Sequence, residues 1–517
     1  MKEKTGISSY ERVEIDFYPK APPLKKVLDK TKINVRYSVV SPFAFVHIYW
    51  DDKISEVIYD VEEPILTEQE KAYKKEIISA MKNMINFDGV VEKNTEKLLA
   101  YIDRLFKILG TELGLDISYE SYKKIYYYLC RDFIGFNKTQ PMLSDYFVED
   151  IECNGANTPV YLVHRVFRNI KTNIIFKNVD LLASFVEKLA QRCGKYISYA
   201  QPILDGSLSD GSRVNATYTK DITSRGPTFT IRKFTKTPWT PPQLLTFKTL
   251  SPEMLAYLWM LVEYKMNILI AGGTSSGKTT LLNAIAFFIP PEARVVSIED
   301  TRELNLPREN WLPSVVRTAT GADGKGEVDL FALLKSSFRQ NPDYVIVGEV
   351  RGKEAFVLFQ GMASGHSSIS TLHADSVDTV IKRLETPPID LSPTLVNILD
   401  CVCIMTHAIV KKQETRKLRE IVEIINVNPD GIAITNTPFV WNPKEDQFYS
   451  KSNSRILDKI AKRYGLTPQE IEREFNRRVQ IIFKMHQQKI FGFDDVQALI
   501  NDYYKKPEEV LRKFGIR

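Results

Sequence analysis

The chain has 517 residues, of which 44% are hydrophobic and 11% aromatic. This length excludes one ordinary domain and, at about 150 residues per domain, predicts two to four folded units, while the apolar content excludes disorder as the main state. The 70 Lys and Arg residues exceed the 64 Asp and Glu residues by 6, an excess too small to indicate a nucleic-acid-binding protein by itself. The longest apolar run, Met254 to Val262, is much shorter than the roughly 20 residues that a membrane-spanning helix needs.

The cysteines and the N-terminus predict a cytoplasmic protein. The five cysteines form no Cys-x-x-Cys pair, so we expect neither a disulfide framework nor a four-cysteine zinc site. The first twenty residues contain no apolar stretch after the initial lysines, and no signal peptide is expected there.

The first 30 residues are predicted to form an extended arm. Three prolines prevent a continuous helix, and the segment is too polar to form a core of its own. Two interpretations stay open: a loosely packed tail, or a clip that holds a neighbouring subunit or a partner protein. In the second case the anchors are its three aromatic residues, Tyr10, Phe17 and Tyr18.

The pattern up to residue 140 is mainly helical. A β-like run at Ala44 to Trp50 predicts a small sheet. Apolar residues at helical spacing predict three helices, over 67–83, 95–109 and 119–133. Thr67 and Glu70 form a capping box at the start of the first of them. We therefore expect an N-terminal arm and α-rich module over residues 1–140.

Residues 141–234 are predicted to form a second module of the α+β type. Strands are expected at Phe147 to Cys153 and at Val160 to His164, on either side of an Asn-Gly turn, and a helix is expected over 179–193. The next segment, 235–251, is rich in proline and threonine with little periodicity, which predicts a linker.

Residues 252–517 change to an α/β pattern. Helical segments alternate with short apolar strands, at 267–271, 294–299 and 344–348. This alternation is typical of a parallel sheet covered by helices. Beyond residue 411 strands are followed by helices, one of which begins with the capping box of Thr467 and Glu470. The expected fold class is therefore multidomain α/β, with the parallel sheet and C-terminal helices in the last domain.

One segment of this last domain matches a phosphate-binding loop completely. The pattern lies between a predicted strand and a predicted helix and consists of Gly272, Gly273, Thr274, Ser275, Ser276, Gly277, Lys278 and Thr279. Glycines let backbone N–H groups converge on phosphate oxygens, and the helix N-terminus adds positive potential. Lys278 is expected to reach the β- and γ-phosphates and Thr279 to ligate Mg²⁺. The sequence therefore predicts a nucleoside triphosphate site.

Two acidic segments follow strands of the same predicted sheet. The apolar strand that begins after Asp343 ends in Gly-Glu, which places Glu349 near Mg²⁺ and the attacking water, as a direct ligand or through a bridging water. Glu299, Asp300 and Glu303 put three carboxylates within five residues. Their mutual repulsion is costly unless a cation or a proton transfer uses them.

Histidines and a basic cluster supply further candidate residues. His366 and His373 flank a predicted strand, and we expect both to lie on loops that face the ligand. The basic cluster is either a solvated loop or a docking site for a membrane protein, and it comprises Lys411, Lys412, Arg416, Lys417 and Arg419.

The order of four motifs resembles the secretion ATPase superfamily, which powers type II secretion, type IV pili, conjugation-type export and the archaeal rotating filament. The motifs are GGTSSGKTT, SIEDTRE, RQNPDYVIVGEVRG and GMASGHSSISTLHADS. Two flanking stretches, at 148–165 and 202–238, are similar to the motor ATPase of the archaeal flagellum (archaellum) and its archaeal pilus relatives. The likeness covers about residues 140–430.

The resemblance implies a role for each motif and a RecA-like P-loop ATPase domain over residues 252–517. The motifs correspond to the Walker A loop from Gly272 to Thr280, the acidic box with Glu303 as the catalytic glutamate, the Walker B strand ending at Glu349, and the histidine box from Gly365 to His373. It further implies that Arg213 and Arg232 reach the nucleotide from the preceding domain. From the residues alone, Arg213 could instead pair with Asp210, and Arg232 could be an ordinary exposed side chain.

The resemblance also implies a cellular role. The expected protein is an ATP- and Mg²⁺-dependent homohexameric motor, cytoplasmic and peripheral at the inner face of the cell membrane. It would drive archaellum assembly or rotation through a polytopic membrane platform protein and accessory motor proteins, without nucleic acid. The alternatives are an archaeal type IV pilus or conjugation-type secretion ATPase, a RecA-like nucleic-acid motor, and a nucleotide-gated scaffold that does not hydrolyse ATP.

Overall fold

The computed structural model describes residues 7–22, 24, 27, 29–84, 95–234, 237–317, 326–410 and 413–516. The chain divides into two compact units, Met1–Phe234 and Thr235–Arg517. Among the described residues, each unit contains one nine-stranded sheet, with one hydrophobic core in the first unit and two in the second.

The first unit is built on a mostly antiparallel sheet. Its strands are β1 (Asn34–Val40), β2 (Ala44–Asp51), β3 (Glu56–Glu62), β4 (Val148–Cys153), β5 (Pro159–His164), β6 (Arg168–Ile175), β7 (Ile203–Ser207), β8 (Arg213–Thr217) and β9 (Thr228–Arg232). The strand order is β1-β2-β3-β6-β5-β4-β9-β8-β7. Within the described part of this sheet, only β3 and β6 pair in parallel, through Ile58 with Lys171 and Tyr59 with Thr172.

The helices of the first unit lie close to the predicted positions. They are α1 (Glu68–Met84), α2 (Thr95–Glu112), α3 (Tyr119–Phe133), α4 (Gln140–Ser144) and α5 (Val179–Arg192). The capping box at the start of α1 is confirmed, because Glu70 accepts the Thr67 N–H at 2.7 Å and Thr67 Oγ1 accepts the Glu70 N–H at 3.2 Å. The three helices predicted from apolar spacing, over 67–83, 95–109 and 119–133, are thus all present as α1, α2 and α3.

The boundary expected at residue 140 does not separate two compact units. Strand β3 joins the N-terminal hairpin to β6, so one sheet crosses the expected boundary. Buried Asp145 reinforces this continuity, because its Oδ2 accepts hydrogen bonds from the hydroxyls of Tyr37 on β1 and Tyr59 on β3, both at 2.7 Å. The small sheet expected near residue 44 is thus one end of a larger sheet.

The described part of the N-terminal arm packs onto its own unit. Ile7, Ile15 and Phe17 are buried in the core of that unit. The hydroxyl of Tyr10 donates to the carbonyl oxygen of Ile117 at 3.0 Å. Tyr18 is 62% exposed. The interpretation of a loose tail is therefore wrong for these residues, and two of the three proposed anchors are engaged inside the unit.

The second unit has a mixed sheet. Its strands are β10 (Ile268–Gly272), β11 (Val295–Glu299), β12 (Trp311–Val315), β13 (Tyr344–Val347), β14 (Ser367–Leu372), β15 (Cys401–Val410), β16 (Gln413–Val427), β17 (Ala433–Asn442) and β18 (Gln447–Ser450). The order is β12-β11-β13-β14-β10-β15-β16-β17-β18. The pairs from β12 to β15 are parallel, and those from β15 to β18 are antiparallel.

Helices cover both faces of this sheet. They are α6 (Pro241–Thr246), α7 (Pro252–Glu263), α8 (Lys278–Ala286), α9 (Leu330–Ser337), α10 (Glu354–Ala363), α11 (Val377–Glu385), α12 (Pro393–Val396), α13 (Arg455–Tyr464), α14 (Pro468–Gln487), α15 (Phe493–Lys505) and α16 (Pro507–Phe514). Along β10, Ile268 and Ile270 enter one core and Leu269 and Ala271 the other. This alternation places a fully apolar strand between two helical layers, and the multidomain α/β fold class is confirmed.

The segment 235–251, predicted to be a linker, is largely part of the second unit. Residues 235 and 236 lie outside the described residues. Pro241 and Pro242 open helix α6 and are buried with Leu244. Proline is suited to the first helical turn because the N–H that it lacks has no partner there. The proline-rich composition therefore reflects a helix start rather than an unstructured connection.

Two sequence features of the second unit, an apolar run and a capping box, both belong to helices. The apolar run from Met254 to Val262 is fully buried inside α7. The capping box of Thr467 and Glu470 is confirmed at the start of α14. Among the residues described, no helix combines the length and the apolar character needed to cross a membrane.

We predict that Phe17→Ala destabilises the protein by about 3 kcal/mol, because it empties a buried aromatic site in the core of the first unit. The neighbouring change Tyr18→Ala is the matched control and should cost less than about 1 kcal/mol, since that ring is mostly exposed. Thermal or urea unfolding measures both. Equal stabilities for the two variants would contradict the packing of the arm.

Candidate nucleotide-binding site

The phosphate-binding loop follows a central buried strand. β10 lies between β14 and β15, and helix α8 begins at Lys278. A Cβ at Gly272 would lie 2.5 Å from Ser276 Oγ and 2.6 Å from the carbonyl oxygen of Met405, so only glycine fits there. Gly277 has a φ of 97°, in the left-handed region that favours glycine. The strand, loop and helix expected from the motif are all present.

The loop's side chains divide by exposure. Gly273, Thr274 and Ser275 are exposed, whereas Thr279 and Thr280 are half-buried. Buried Ser276 donates its hydroxyl to the Gly273 carbonyl oxygen at 2.8 Å. The exposed stretch leaves the loop open on one side.

Lys278 folds back over the loop. Its ammonium donates to the carbonyl oxygens of Gly272 and Gly273, both at 3.0 Å. Burial lowers the pKa of Lys278, while the carboxylates of Glu349 and Glu303 attract its charge. These two acids, predicted from separate strand ends, therefore act electrostatically on the same lysine.

The parallel pairing of β11 and β13 brings the two acidic segments to one edge of the sheet. Ile298 is the register partner of Val347, and the Gly348 N–H donates to the Ile298 carbonyl oxygen at 2.9 Å. Glu299 is the last residue of β11, and Glu349 follows β13 by two residues. Asp343 instead lies at the opposite end of β13, where it pairs with Lys265 at 2.9 Å.

Glu349 is held in a network of charges. Its Oε2 accepts from Arg351 at 2.5 Å, and Arg351 also lies 3.9 Å from Asp300. His373 Nε2 lies 3.9 Å from Glu349 Oε1, an oxygen that is buried without a hydrogen-bond partner among the described residues. Burial and the charge of Lys278 lower the pKa of His373, against the attraction of Glu349. Neutral imidazole is therefore favoured beside this carboxylate.

The two histidines occupy opposite ends of strand β14. His366 precedes the strand, where its Nδ1 lies 3.3 Å from the Gly361 carbonyl oxygen and its ring packs on Phe338. His373 follows the strand, at the edge of the phosphate-binding loop. At about 3.3 Å per residue, the intervening strand separates them by roughly 20 Å. The structure therefore does not bring the two histidines together, because an extended strand carries its two ends to opposite edges of the sheet, and a contact of His366 with the ligand stays a prediction.

Arg213 and Arg232 lie together in the first unit. They are register partners on β8 and β9. Arg213 pairs with Asp205 at 3.0 Å, and Arg232 pairs with Asp150 at 2.9 Å. Asp210, the alternative partner weighed for Arg213, accepts hydrogen bonds from Ser212 instead. The structure thus brings the two arginines to one place, and their approach to a nucleotide stays a prediction.

Three residues near the loop were missed by sequence reasoning. Arg351 follows Glu349 by two residues and neutralises it, and a basic residue this close to the strand end was the available signal. A Cβ at Gly277 would lie 3.4 Å from Arg416 Cδ, so this side chain packs on the loop from strand β16. Asn283 on α8 donates to the carbonyl oxygens of Thr279 and Glu303, both at 3.2 Å. The sequence marked Arg416 only as a member of the basic cluster, without a place at the loop, and no local pattern marks Asn283.

The basic cluster is not a single solvated loop. Lys411 and Lys412 lie outside the described residues. Lys417 is buried and pairs with Asp446 at 2.6 Å. Arg419 pairs with Glu420. All three described basic residues of the cluster lie on strand β16, where Lys417 is buried and Arg419 falls at a register shift in the pairing of β15 with β16.

The donor set suits a magnesium nucleotide. The half-buried Thr279 hydroxyl and the Glu349 carboxylate are hard oxygen ligands of the kind that Mg²⁺ prefers. The unpartnered Glu349 Oε1 can accept a ligand water without breaking an existing hydrogen bond. Lys278 and the start of α8 provide positive potential for phosphates.

Glu299 stands apart from the other acids because its side chain is only 2% exposed. Burial raises its pKa to about 7, although hydrogen bonds from the Glu303 and Leu304 N–H groups lower it, and the charges of Glu303 and Arg302 act in opposite directions. A protonated carboxyl is therefore populated at neutral pH in the folded protein.

Comparison with known proteins assigns the chain to a family. The family model "Type II/IV secretion system protein" matches residues 147–425, which is more than half of the chain. The chain therefore belongs to the type II/IV secretion system protein family.

Individual relatives extend the match. "Uncharacterized protein MJ0900" of Methanocaldococcus jannaschii is 35% identical over 505 residues, covering 92% of this chain and 90% of that protein. "Type IV secretion system protein PtlH" of Bordetella pertussis is 35% identical over 230 residues, covering 40% of this chain and 67% of PtlH. Among solved structures, the VirB11 ATPase of the Brucella suis type IV secretion system shares 24% identity and covers 55% of this chain and 91% of its own, with a TM-score of 0.29.

We predict that Glu299 makes stability depend on pH. Its folded pKa of about 7 exceeds the ordinary value of 4.5, so the folded state binds the proton more tightly and stability falls as pH rises through this window. The loss is on the order of 3 kcal/mol, and Glu299→Gln lacks it.

The melting temperature of nucleotide-free protein in EDTA measures this effect. The difference between Glu299→Gln and the unaltered protein should grow in favour of the variant from pH 5 to pH 8. A constant difference would show that the Glu299 carboxyl does not titrate in this range.

Proposed function

We propose that this protein is a Mg²⁺-dependent ATPase that works as a motor of a filament-assembly or secretion machine. The observation that carries this proposal is the convergence on Lys278 of two carboxylates, Glu349 and Glu303, from neighbouring strand ends of one parallel sheet. Membership of the type II/IV secretion system protein family supports the proposal, as does the arrangement of strand β10, the phosphate-binding loop and helix α8.

The proposed hydrolysis relies mainly on positioning and charge. Lys278 would leave the Gly272 and Gly273 carbonyl oxygens to bind the β- and γ-phosphates, and the start of α8 would stabilise the same negative charge. Thr279 and Glu349 would hold Mg²⁺, which supplies further charge neutralisation when bound. Arg351, now paired with Glu349, is placed to compensate for changes in that charge.

We propose Glu303 as the general base that activates water. Its side chain is exposed at the edge of the phosphate-binding loop, and its charge acts on Lys278. Glu349, by contrast, is engaged with Arg351 and close to His373. A carboxylate with room to turn toward the γ-phosphate is better suited to accept a proton from water.

For the motor role, ATP hydrolysis must be coupled to motion within an assembly of several subunits. We propose a hexamer at the inner face of the cell membrane, in which Arg213 and Arg232 of the first unit contact nucleotide and report hydrolysis. A polytopic membrane platform protein and accessory motor proteins would receive the motion. The sequence resemblance favours archaellum assembly or rotation, whereas the names of PtlH and of the conjugal transfer protein TrbB of Rhizobium radiobacter favour type IV secretion or conjugation-type export.

We predict that Lys278→Ala reduces ATP turnover of the purified protein at least about 100-fold, because the γ-phosphate loses its main positive partner. Lys265→Ala is the matched control: this lysine lies before β10, at the opposite edge of the sheet, and should be dispensable for turnover. Phosphate release measures both. More than a tenth of the original rate in Lys278→Ala would reject the site.

We also predict that anionic phospholipid vesicles, and not single-stranded DNA, raise the ATPase rate, because the proposed partners lie at a membrane surface. The comparison is made at one ionic strength, with vesicles of neutral phosphatidylcholine as the control. Stimulation by DNA alone would instead support the nucleic-acid motor.

A further inference from the structure

Glu303 combines an exposed side chain with a backbone that is held from two sides. On one side, Glu299 Oε1 accepts the N–H groups of Glu303 and Leu304, both at 2.9 Å. On the other, Asn283 Nδ2 donates to the Glu303 carbonyl oxygen at 3.2 Å. The carboxylate can turn, while the position of its Cα is set.

Glu299 is itself positioned by two strands of the parallel sheet. It ends β11, and its Cγ lies against Gly348 at the end of β13, where an added Cβ would approach to 3.2 Å. A side chain at position 348 would therefore displace Glu299. The acceptor for the Glu303 N–H is thus tied to the strand that leads to Glu349.

Asn283 ties the same loop to the phosphate-binding helix. It is buried on α8, and its Nδ2 donates to the Thr279 carbonyl oxygen as well as to Glu303. Its Oδ1 accepts the Asn305 N–H at 3.1 Å. One amide therefore connects the residue proposed to ligate Mg²⁺ with the residue proposed to activate water.

The energetic reason for a fixed loop is the burial around it. Leu304 is fully buried, and Glu299 and Asn283 are almost so. A buried N–H that loses its acceptor costs about 1–3 kcal/mol, so the backbone of residues 303–305 has one favoured position. Displacement of a catalytic group by about 1 Å can reduce the rate about 100-fold.

We propose that Glu299 and Asn283 are positioning residues that clamp the Glu303 loop between the acidic box and the phosphate-binding helix. The clamp sets the distance of the Glu303 carboxylate from the γ-phosphate and acts on catalysis only through Glu303. It rests on the proposed role of Glu303 as the general base.

The first test compares steady-state ATP hydrolysis of Glu299→Ala, Glu299→Gln and Asn283→Ala. The two alanine variants should lower kcat at least about 10-fold and leave KM within about threefold, since nucleotide contacts are retained. Glu299→Gln should recover most of the activity, because its Oε1 still accepts the two N–H groups.

The matched control is Asn267→Ala. Asn267 is also buried, accepts the Ser368 N–H at 3.1 Å and donates to the Ile398 carbonyl oxygen at 3.2 Å, but precedes β10 at the far edge of the sheet. The Asn267→Ala variant should lose about as much stability as Asn283→Ala and keep the kcat of the unaltered protein. An equal loss of kcat in this control would show that general destabilisation explains the result, and the clamp would be rejected.

The decisive test adds each alanine change to Glu303→Gln. If the clamp acts only through Glu303, the second change should lower kcat by less than about twofold in this background. Losses that multiply would overturn the clamp. A weak Glu303→Gln variant beside fully active Glu299→Ala and Asn283→Ala would reject the clamp alone, whereas full activity of Glu303→Gln would reject the base itself and the clamp with it.

Discussion

The parallel direction of four buried strands is the constraint on which the site depends. β10, β11, β13 and β14 run the same way, so their carboxyl ends meet at one edge of the second sheet. Loops that follow such strands lie side by side even when they are distant in sequence. The phosphate-binding loop, the acidic box, Glu349 and His373 are neighbours for this reason alone, and His366, at the start of β14, is excluded from them by the same geometry.

This arrangement concentrates negative charge that the protein must balance. Lys278 lies in the field of Glu349 and Glu303, and Arg351 pairs with Glu349 and approaches Asp300. The negative charge of Glu299 is not balanced in this way. Burial favours its protonated form, and its carboxyl accepts hydrogen bonds from the backbone. A magnesium nucleotide would bring its own cation and anion to this edge and exchange these internal pairs for contacts with the ligand. Charge rearrangement of this kind is a physical route from nucleotide state to conformation.

Local signals in the sequence were sufficient for many elements. Capping boxes placed the starts of α1 and α14, and apolar spacing placed α2 and α3, because these features depend on residues within one or two turns. The extent of the first sheet was not predictable in this way. The parallel pair of Ile58 with Lys171 joins residues more than 100 positions apart, and no local pattern encodes such a contact.

Residue types and short spacings were enough to predict the chemistry of the site: the glycines at which a Cβ would clash or a positive φ is needed, the lysine, and acids at the ends of apolar strands. Which of these groups meet depends instead on how the strands and helices are arranged in space. Strand direction separated His366 from His373, β16 brought Arg416 onto Gly277, and α8 brought Asn283 to the Glu303 carbonyl oxygen. Residue type and short spacing record what a side chain can do, whereas its neighbours depend on long-range packing and strand register, which a single sequence does not display.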